Sequence, residues 1–207
     1  MITSLRNEFW DTGQLSGSAM ATTVTDQESD HVLISTHTAD PTALRSAFAG
    51  FPSGVAALAA VVDGETQVLL ASSFTVGVSQ DPPLVLFAVQ HSSSTWPQLR
   101  QAAHLGVSVL GSRHAERARQ LAGKDRSRRL LDIDHQVQPS GALLLEHSPV
   151  WLECMIENEY PAGDHDIIVL RVEAMATDDA HSPLVWHRRG FLSLTDPAAA
   201  DPRDAVG

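Results

Sequence analysis

Residues 70–99 carry the most constraining pattern in the chain, a strongly apolar segment with a cluster of small hydroxyl residues on each side. Residues 84–89 form the apolar segment, Ser72 and Ser73 precede it, and residues 92–95 follow it. Hydroxyl and backbone N–H groups at strand ends donate hydrogen bonds to a phosphate without burying a full charge, and the start of a helix adds partial positive charge. Because two clusters flank one hairpin, we interpret the stretch as a phosphate-binding or cofactor-binding cradle, with ordinary turns as the alternative.

Short apolar segments separated by turn residues indicate a chain that is mainly β. Asp63 and Gly64 form a hairpin signal, and residues 161–165 are predicted to be the turn before a later strand. Strands and helices do not alternate regularly, so the pattern favours a closed antiparallel barrel with helical insertions. The predicted strands, seven or more, cover residues 55–62, 67–71, 84–89, 105–110, 142–145, 150–159, 166–175, 184–187 and 191–194.

Three short helices are also predicted, one before the first strand and two between later strands. The first begins after Asp40 and ends near Gly50, because Asp is a good cap and the following Pro suits the first helical turn. Ser94 or Thr95 is expected to cap the second helix. The third, a basic helix, is predicted to cover residues 113–122.

The formal net charge of −11 argues against a general nucleic-acid-binding role. Yet half of the fourteen basic residues lie within positions 113–129, where only Glu116 and Asp125 oppose them. This basic segment is either a local site for an anionic ligand or a solvated helix face.

The remaining composition bears on compartment and chemistry. No apolar run approaches the roughly 18 residues that span a membrane, so no membrane association is expected. The N-terminus shows no apolar signal segment, and the only cysteine, Cys154, excludes an internal disulfide, so a cytoplasmic location is expected. Cys154 is interpreted as a packed thiol, and the ten histidines lack metal-binding spacing, so no metal is expected.

The ends of the chain differ from its middle. Residues 1–39 show no sustained period and are rich in Thr, Ser, Asp and Gly, which predicts a flexible N-terminal tail. Residues 40–196 are predicted to form one domain, and residues 197–207 a disordered C-terminal end. Met20 is an alternative start to Met1.

His165 stands apart from the other histidines because it lies in a Gly-Asp-His-Asp turn sequence. The flanking carboxylates of Asp164 and Asp166 would favour its protonated form. It is either a site residue or an ordinary exposed turn histidine.

Seven short motifs, taken in order and spacing, resemble the short-chain flavin reductase family, the reductase components of two-component flavin monooxygenases. The resemblance covers roughly residues 41–195. The motifs are FPSGV at 51–55, ASSFT at 71–75, VSQDPPLV at 78–85, SSSTW at 92–96, LAGK at 121–124, LEC at 152–154 and GDH at 163–165.

The resemblance implies an FMN-binding split β-barrel, antiparallel and Greek-key-like with a few short helices, usually a homodimer with the flavin near the subunit interface. It implies an NAD(P)H:flavin oxidoreductase that reduces FMN or FAD by hydride transfer from NADH or NADPH. The reduced flavin would then pass to a flavin-dependent monooxygenase. Hydride transfer between two cofactors needs little acid–base machinery, which agrees with a sequence that shows no triad motif.

By position in the motifs, the resemblance assigns cofactor-binding residues and one catalytic residue. The isoalloxazine ring and ribityl chain are expected along Pro52, Ser53, Ala71, Ser72 and Ser73. The flavin phosphate is expected among Ser92, Ser94, Thr95 and Trp96, with an added charge from Lys124. His165 is expected near the nicotinamide, where it would act by orientation and electrostatics.

Two departures from the family pattern motivate an alternative function. Leu70 stands where a Thr is usual, and residues 56–60 read AALAA in place of a Val/Thr-rich strand. The alternative is a non-catalytic or electron-transfer flavoprotein that holds FMN tightly on the same barrel. Recruitment of the barrel to another cofactor, such as a deazaflavin or haem, is a third possibility.

Overall fold

The computed structural model describes residues 40–194. The predicted tail, residues 1–39, and the predicted disordered end, residues 197–207, lie outside the described residues. The helices within the described range are α1 (Pro41–Ala49), α2 (Trp96–Leu99) and α3 (Ala118–Leu121). The strands are β1 (Ser53–Gly54), β2 (Ala56–Val62), β3 (Glu65–Ala71), β4 (Thr75–Gln80), β5 (Pro83–Gln90), β6 (Leu105–Val109), β7 (His135–Val137), β8 (Leu143–Leu145), β9 (Val150–Ala162), β10 (His165–Thr177), β11 (Leu184–His187) and β12 (Gly190–Ser193).

The strands pair in antiparallel fashion, which confirms the predicted mainly β class. Seven of them form one sheet in the order β3-β2-β6-β9-β10-β5-β4, while β1-β11-β12 and β7-β8 form two smaller sheets. Ser73, just after β3, ties this edge of the large sheet to β5. Its hydroxyl donates to the Ala88 carbonyl and accepts from the Ala88 N–H, both at 3.0 Å. The large sheet therefore curls on itself, as a split barrel requires.

Strand β2 is buried on both faces, which explains its run of alanines. Ala56, Leu58 and Ala60 face a first core inside the curled sheet. Ala57 and Ala59 face a second core, to which α3, β8 and β11 contribute. Small side chains allow two cores to pack against one strand from opposite sides.

Strands β6 and β8 approach so closely that one position admits only glycine. A Cβ atom at Gly106 would lie 2.1 Å from the Leu143 carbonyl oxygen. Two residues along, the buried Ser108 hydroxyl accepts a hydrogen bond from the Leu145 N–H at 2.9 Å. The β7–β8 hairpin is thereby fixed against the large sheet and closes the second core.

The predicted continuous helix over residues 113–122 is wrong. The segment begins with a 3₁₀ turn, Ser112–His114, and only Ala118–Leu121 is α-helical. The His114 side chain is buried, and its Nδ1 accepts a hydrogen bond from the Gly111 N–H at 3.0 Å. Burial lowers the pKa of His114, which favours the neutral ring that this bond needs. The tighter turn allows both His114 and the apolar side of α3 to enter the core.

The predicted turn over residues 161–165 is wrong in its length, because the observed turn is shorter. Strand β9 extends to Ala162 and β10 begins at His165, so only Gly163 and Asp164 remain in the turn. Gly163 has a φ of +68°, a left-handed conformation that glycine adopts without strain. The two strands can therefore pair up to their ends.

Gly106→Ala is expected to lower the free energy of unfolding by about 3 kcal/mol, because the backbones of β6 and β8 must separate to admit a methyl group. Denaturant unfolding followed by tryptophan fluorescence measures the change. Gly54→Ala is the matched control, since nothing lies within 4 Å of a Cβ built there. Its effect should stay within about 0.5 kcal/mol. Equal stabilities of the two variants would contradict the close approach of the strands.

Candidate functional site

A cleft of about 930 Å³ opens between α1, β1, the segment after β3, and the β11–β12 hairpin. Three predicted site residues line it, namely Ser53, Ser72 and Ser73. Ser53 lies opposite Trp186 in the pairing of β1 with β11, and the neighbouring Pro52 is exposed. The volume falls within the usual range for cofactor sites.

Aromatic side chains form the apolar part of the cleft. Phe74 and Trp186 are half-buried, whereas Phe48 and Phe51 are 71% and 74% exposed. Phe191 packs on Trp186 with a centroid distance of 4.8 Å and holds its ring in place. A planar aromatic ligand would find stacking surface here and would cover exposed apolar area.

Near β3, the cleft offers the backbone N–H groups of Ser72 and Ser73 and the Ser72 hydroxyl as polar donors. The Ser73 hydroxyl is already engaged by Ala88 as both donor and acceptor. Within residues 40–194, the backbone N–H groups of Ser72 and Ser73 donate to no protein acceptor. They suit a ring nitrogen or carbonyl oxygen of a ligand. Ala71, predicted beside them, is buried in the first core at the end of β3.

The second hydroxyl cluster lies outside the lining of the cleft, in the loop between β5 and α2. Ser92 and Ser94 are exposed, whereas Thr95 and Trp96 are buried. Thr95 occupies the N-cap position of α2, as predicted, but its side chain makes no capping hydrogen bond, and the Ser93 hydroxyl accepts the Trp96 N–H at 3.2 Å. The Thr95 side chain turns inward instead.

Arg129, from the basic segment, fixes this loop. Its guanidinium donates to the Thr95 hydroxyl at 2.9 Å and to the carbonyls of Val68 and Gly123, each at 2.7 Å. Burial, and then the charge of Arg126, lower the pKa of Arg129, but an arginine stays charged near neutral pH. The loop is therefore clamped to β3 by charge-assisted hydrogen bonds.

The rest of the basic segment divides into bound and solvated side chains. Arg126 donates to the Ser94 carbonyl at 2.5 Å and to the Gln98 side chain at 3.1 Å. Lys124 and Arg128 are exposed, and their side chains make no hydrogen bond within residues 40–194. Arg126 and Arg129 therefore bond within the protein, whereas Lys124 and Arg128 lie on a solvated face, and an anion site in this segment stays a prediction.

His165 is half-buried at the start of β10, outside the lining of the cleft, and its Nδ1 lies 2.6 Å from an Asp164 oxygen. The hydrogen bond with His165 lowers the pKa of Asp164. The expectation was that the carboxylates of both Asp164 and Asp166 act on His165, but only Asp164 contacts it, since Asp166 pairs with Nε2 of His91 at 3.0 Å. Successive strand residues point to opposite faces, so Asp166 is directed away from His165. Sequence reasoning missed His91, which carries no motif and lies 75 residues from its partner.

A second, smaller groove competes with the cleft. Its volume is about 360 Å³, and its lining includes Trp151 and Met175 together with Glu146 and Glu153. Two carboxylates repel a phosphate-bearing ligand. The larger cleft is therefore the candidate site.

Outside the cleft, the single cysteine and the candidate metal ligands also bear on chemistry. Cys154 is buried, and burial raises the pKa of its thiol to about 12, which confirms the interpretation as a packed thiol. In the described part of the chain, no group of three His, Cys, Asp or Glu side chains is arranged to hold a metal ion. Likewise, no helix among residues 40–194 has the length and apolar character to cross a membrane.

Arg129→Ala is expected to lower the free energy of unfolding by about 2 kcal/mol, because a buried hydroxyl and two carbonyls lose a charged donor. Arg128→Ala removes the same charge from an exposed side chain and should change stability by less than about 0.5 kcal/mol. Denaturant unfolding of both variants measures the difference. An Arg129→Ala protein as stable as the wild type would show that the clamp does not hold the loop.

Comparison with known proteins agrees with this architecture. Residues 48–195 match the family described as "Flavin reductase like domain". The chain is 35% identical over 157 residues to an NADH-dependent flavin reductase of Rhodococcus sp., covering 74% of this chain and 86% of that protein. It is 31% identical to the reductase component of 4-hydroxyphenylacetate 3-monooxygenase of Thermus thermophilus, covering 75% and 98%.

A solved structure is similar as well. The NADH:FAD oxidoreductase SgcE6 of Streptomyces globisporus, in complex with NAD and FAD fragments, has a TM-score of 0.73 and 30% identity, covering 83% of this chain and 100% of that one. On the family match and these identities, the chain belongs to the flavin reductase like family.

Proposed function

We propose that the protein is an NAD(P)H-dependent flavin reductase, which reduces FMN or FAD with NADH or NADPH and supplies the reduced flavin to a flavin-dependent monooxygenase. The observation that carries the proposal is the 930 Å³ cleft, where aromatic side chains lie beside backbone N–H groups that donate to no acceptor within residues 40–194. The names of relatives support it, since one is an NADH-dependent flavin reductase and another is a monooxygenase reductase component.

The residues of the cleft fit a flavin. An isoalloxazine ring is planar and carries nitrogen and carbonyl acceptors, which match the faces of Phe74 and Trp186 and the N–H groups of Ser72 and Ser73. The Ser53 side chain adds a hydroxyl opposite them. When bound, the flavin would supply the hydride-accepting chemistry, since hydride transfer belongs to the cofactors.

The chain itself contributes binding, orientation and exclusion of water. The two hydrogen bonds between Ser73 and Ala88 fix the backbone at the donor position. Phe48 and Phe51 stand exposed at the opening, where they would shield a bound ring from solvent. The β11–β12 hairpin is joined to α1, because the Arg188 N–H donates to the Ala49 carbonyl at 2.7 Å.

The phosphate of the flavin is assigned to the loop at the end of β5. Ser92 and Ser94 offer exposed hydroxyls there, and Arg126 provides a cation bonded to the same loop. Thr95 and Trp96 are buried and would support the loop from below. Lys124, exposed and solvated, stays a proposed source of added charge.

Assembly and location belong to the same proposal. A homodimer would cover the exposed Phe48 and Phe51, and large exposed apolar patches are typical of interfaces. The reduced flavin would reach the monooxygenase by diffusion through a transient encounter. A cytoplasmic location suits a chain with one cysteine, Cys154, and a need for NAD(P)H.

The second candidate is a non-catalytic or electron-transfer flavoprotein that holds FMN tightly. Its motivation was the pair of departures at Leu70 and in β2. Leu70 packs against the second core and the alanines of β2 pack on both faces, so these residues act in packing. The two departures therefore give no structural support to the second candidate.

Steady-state oxidation of NADH and NADPH, each with FMN, FAD and riboflavin, tests the proposal. We expect rapid turnover with at least one pair, and flavin that is lost on dialysis. Slow turnover with every pair, together with a flavin spectrum that persists through dialysis, would establish the second candidate. A protein that binds no flavin would contradict both candidates.

His165→Ala is expected to lower kcat by about tenfold while the flavin Kd changes by less than about twofold, because misplacing the nicotinamide slows transfer without loosening the flavin. Flavin fluorescence gives the Kd, and the turnover assay gives kcat. His91→Ala, which removes a neighbouring His–carboxylate pair, is the matched control and should retain kcat. Equal losses of kcat and flavin affinity, or no loss of either, would refute the role of His165.

A further inference from the structure

The opening of the cleft carries positive charge that the proposed flavin site does not use. Arg45 from α1 and Arg189 from the β11–β12 hairpin both line the cleft, and among residues 40–194 its lining includes no aspartate or glutamate. Arg188, beside Arg189, is exposed. None of the three forms a salt bridge within residues 40–194. In a chain of net charge −11, this concentration indicates an anionic ligand.

Folding alone does not explain why arginines occupy the turn between β11 and β12, because their backbone angles disfavour large side chains. Arg188 and Arg189 are the two turn residues between β11 and β12, and their φ angles are +48° and +65°. A two-residue turn with positive φ at both positions favours Asn-Gly, because a side chain is strained there. The turn would form more easily with other residues, so the property that these two positions supply is charge.

A backbone hydrogen bond brings the two sources of charge to one opening. The Arg188 N–H donates to the Ala49 carbonyl at 2.7 Å, which ties the hairpin turn to the end of α1. Arg45 precedes Ala49 by four residues and so lies on the same side of the helix. The cleft is therefore flanked by one arginine on the helix and one on the hairpin.

We propose that Arg45 and Arg189 bind a phosphate group of the nicotinamide dinucleotide that donates the hydride, with Arg188 adding to the local positive charge. This inference rests on the proposed function. A guanidinium is planar, permanently charged and able to bind phosphate oxygens in pairs. The flavin phosphate is assigned to the Ser92 and Ser94 loop, so the dinucleotide supplies the phosphate at this opening. That phosphate is either the pyrophosphate, common to NADH and NADPH, or the 2′-phosphate of NADPH.

The test measures KM for NADH and for NADPH with riboflavin, which has no phosphate, as the acceptor. Arg189→Gln and Arg45→Gln are each expected to raise KM by about tenfold, the loss of one charge-assisted contact, with little change in kcat. Calorimetric Kd values for the dinucleotides without flavin should rise in parallel. Equal rises for NADH and NADPH identify the pyrophosphate, and a rise confined to NADPH identifies the 2′-phosphate.

Two control variants separate charge from folding. Arg171→Gln removes the same charge from β10, where Glu157 and Glu173 pair with it, and should leave KM within about twofold. The double variant R188N/R189G installs the preferred turn residues, so its melting temperature should equal or exceed that of the wild type while KM still rises. A rise in KM of this variant therefore reports the lost charge and not a loss of folding.

Three results would overturn the inference. The first is unchanged KM and Kd values in Arg45→Gln and Arg189→Gln. The second is an equal rise in Arg171→Gln, which would show a general charge effect. The third is a rise in KM for FMN but not for riboflavin, which would assign the arginines to the flavin phosphate. Failure of the proposed function would look different, because the wild-type protein would then turn over no flavin. The calorimetric Kd values of the variants would still decide the role of the arginines.

Discussion

The burial of β2 on both faces is the constraint on which the rest of the structure depends. One face of the strand completes the core inside the curled sheet, and the other supports the second core. The second core holds β11 through Leu184, and β11 carries Trp186 into the cleft. Because Ala57 and Ala59 leave room for this second layer, the alanine-rich sequence of β2 determines where the cleft wall stands. What seemed a departure from the family pattern is thus part of the support of the site.

Charge is distributed in this acidic protein according to what each arginine contacts. Arg129 is directed inward and donates hydrogen bonds to the Thr95 hydroxyl and to backbone carbonyls, which stabilises the loop after β5. Arg45 and Arg189 line the cleft, where no acidic side chain of the described range, residues 40–194, accompanies them. The same residue type therefore serves as a structural clamp in one place and as an exposed cation, which we propose to bind a phosphate, in another. Burial and the availability of carbonyl acceptors separate the two roles.

Much of the fold could be predicted from the sequence because its signals are local. Alternation of apolar residues and the Asp63-Gly64 turn defined most strands, since these patterns depend only on neighbours in the chain. The prediction of a helix over residues 113–122 failed because the buried His114 and its hydrogen bond to Gly111 impose a 3₁₀ turn. Helix propensity does not reveal such a turn. Tertiary packing overrode the local preference there.

The site was predictable only in part, because motifs are local in the sequence whereas contacts between strands are not. Motif positions placed Ser53, Ser72 and Ser73 in one site, and the structure brings these three together in the cleft. Arg189 could not be predicted beside them, because it depends on the pairing of β1 with β11. The same holds for the partnership of His91 with Asp166, which follows from sheet register across 75 residues. A single sequence carries no direct signal for such contacts.

The central claim is that the cleft between α1, the segment after β3 and the β11–β12 hairpin holds the flavin. A crystal structure of the protein with FMN tests it most directly. We expect the isoalloxazine ring in this cleft, with its acceptors on the N–H groups of Ser72 and Ser73. A ring bound instead in the smaller groove beside Trp151 and Met175 would contradict the account.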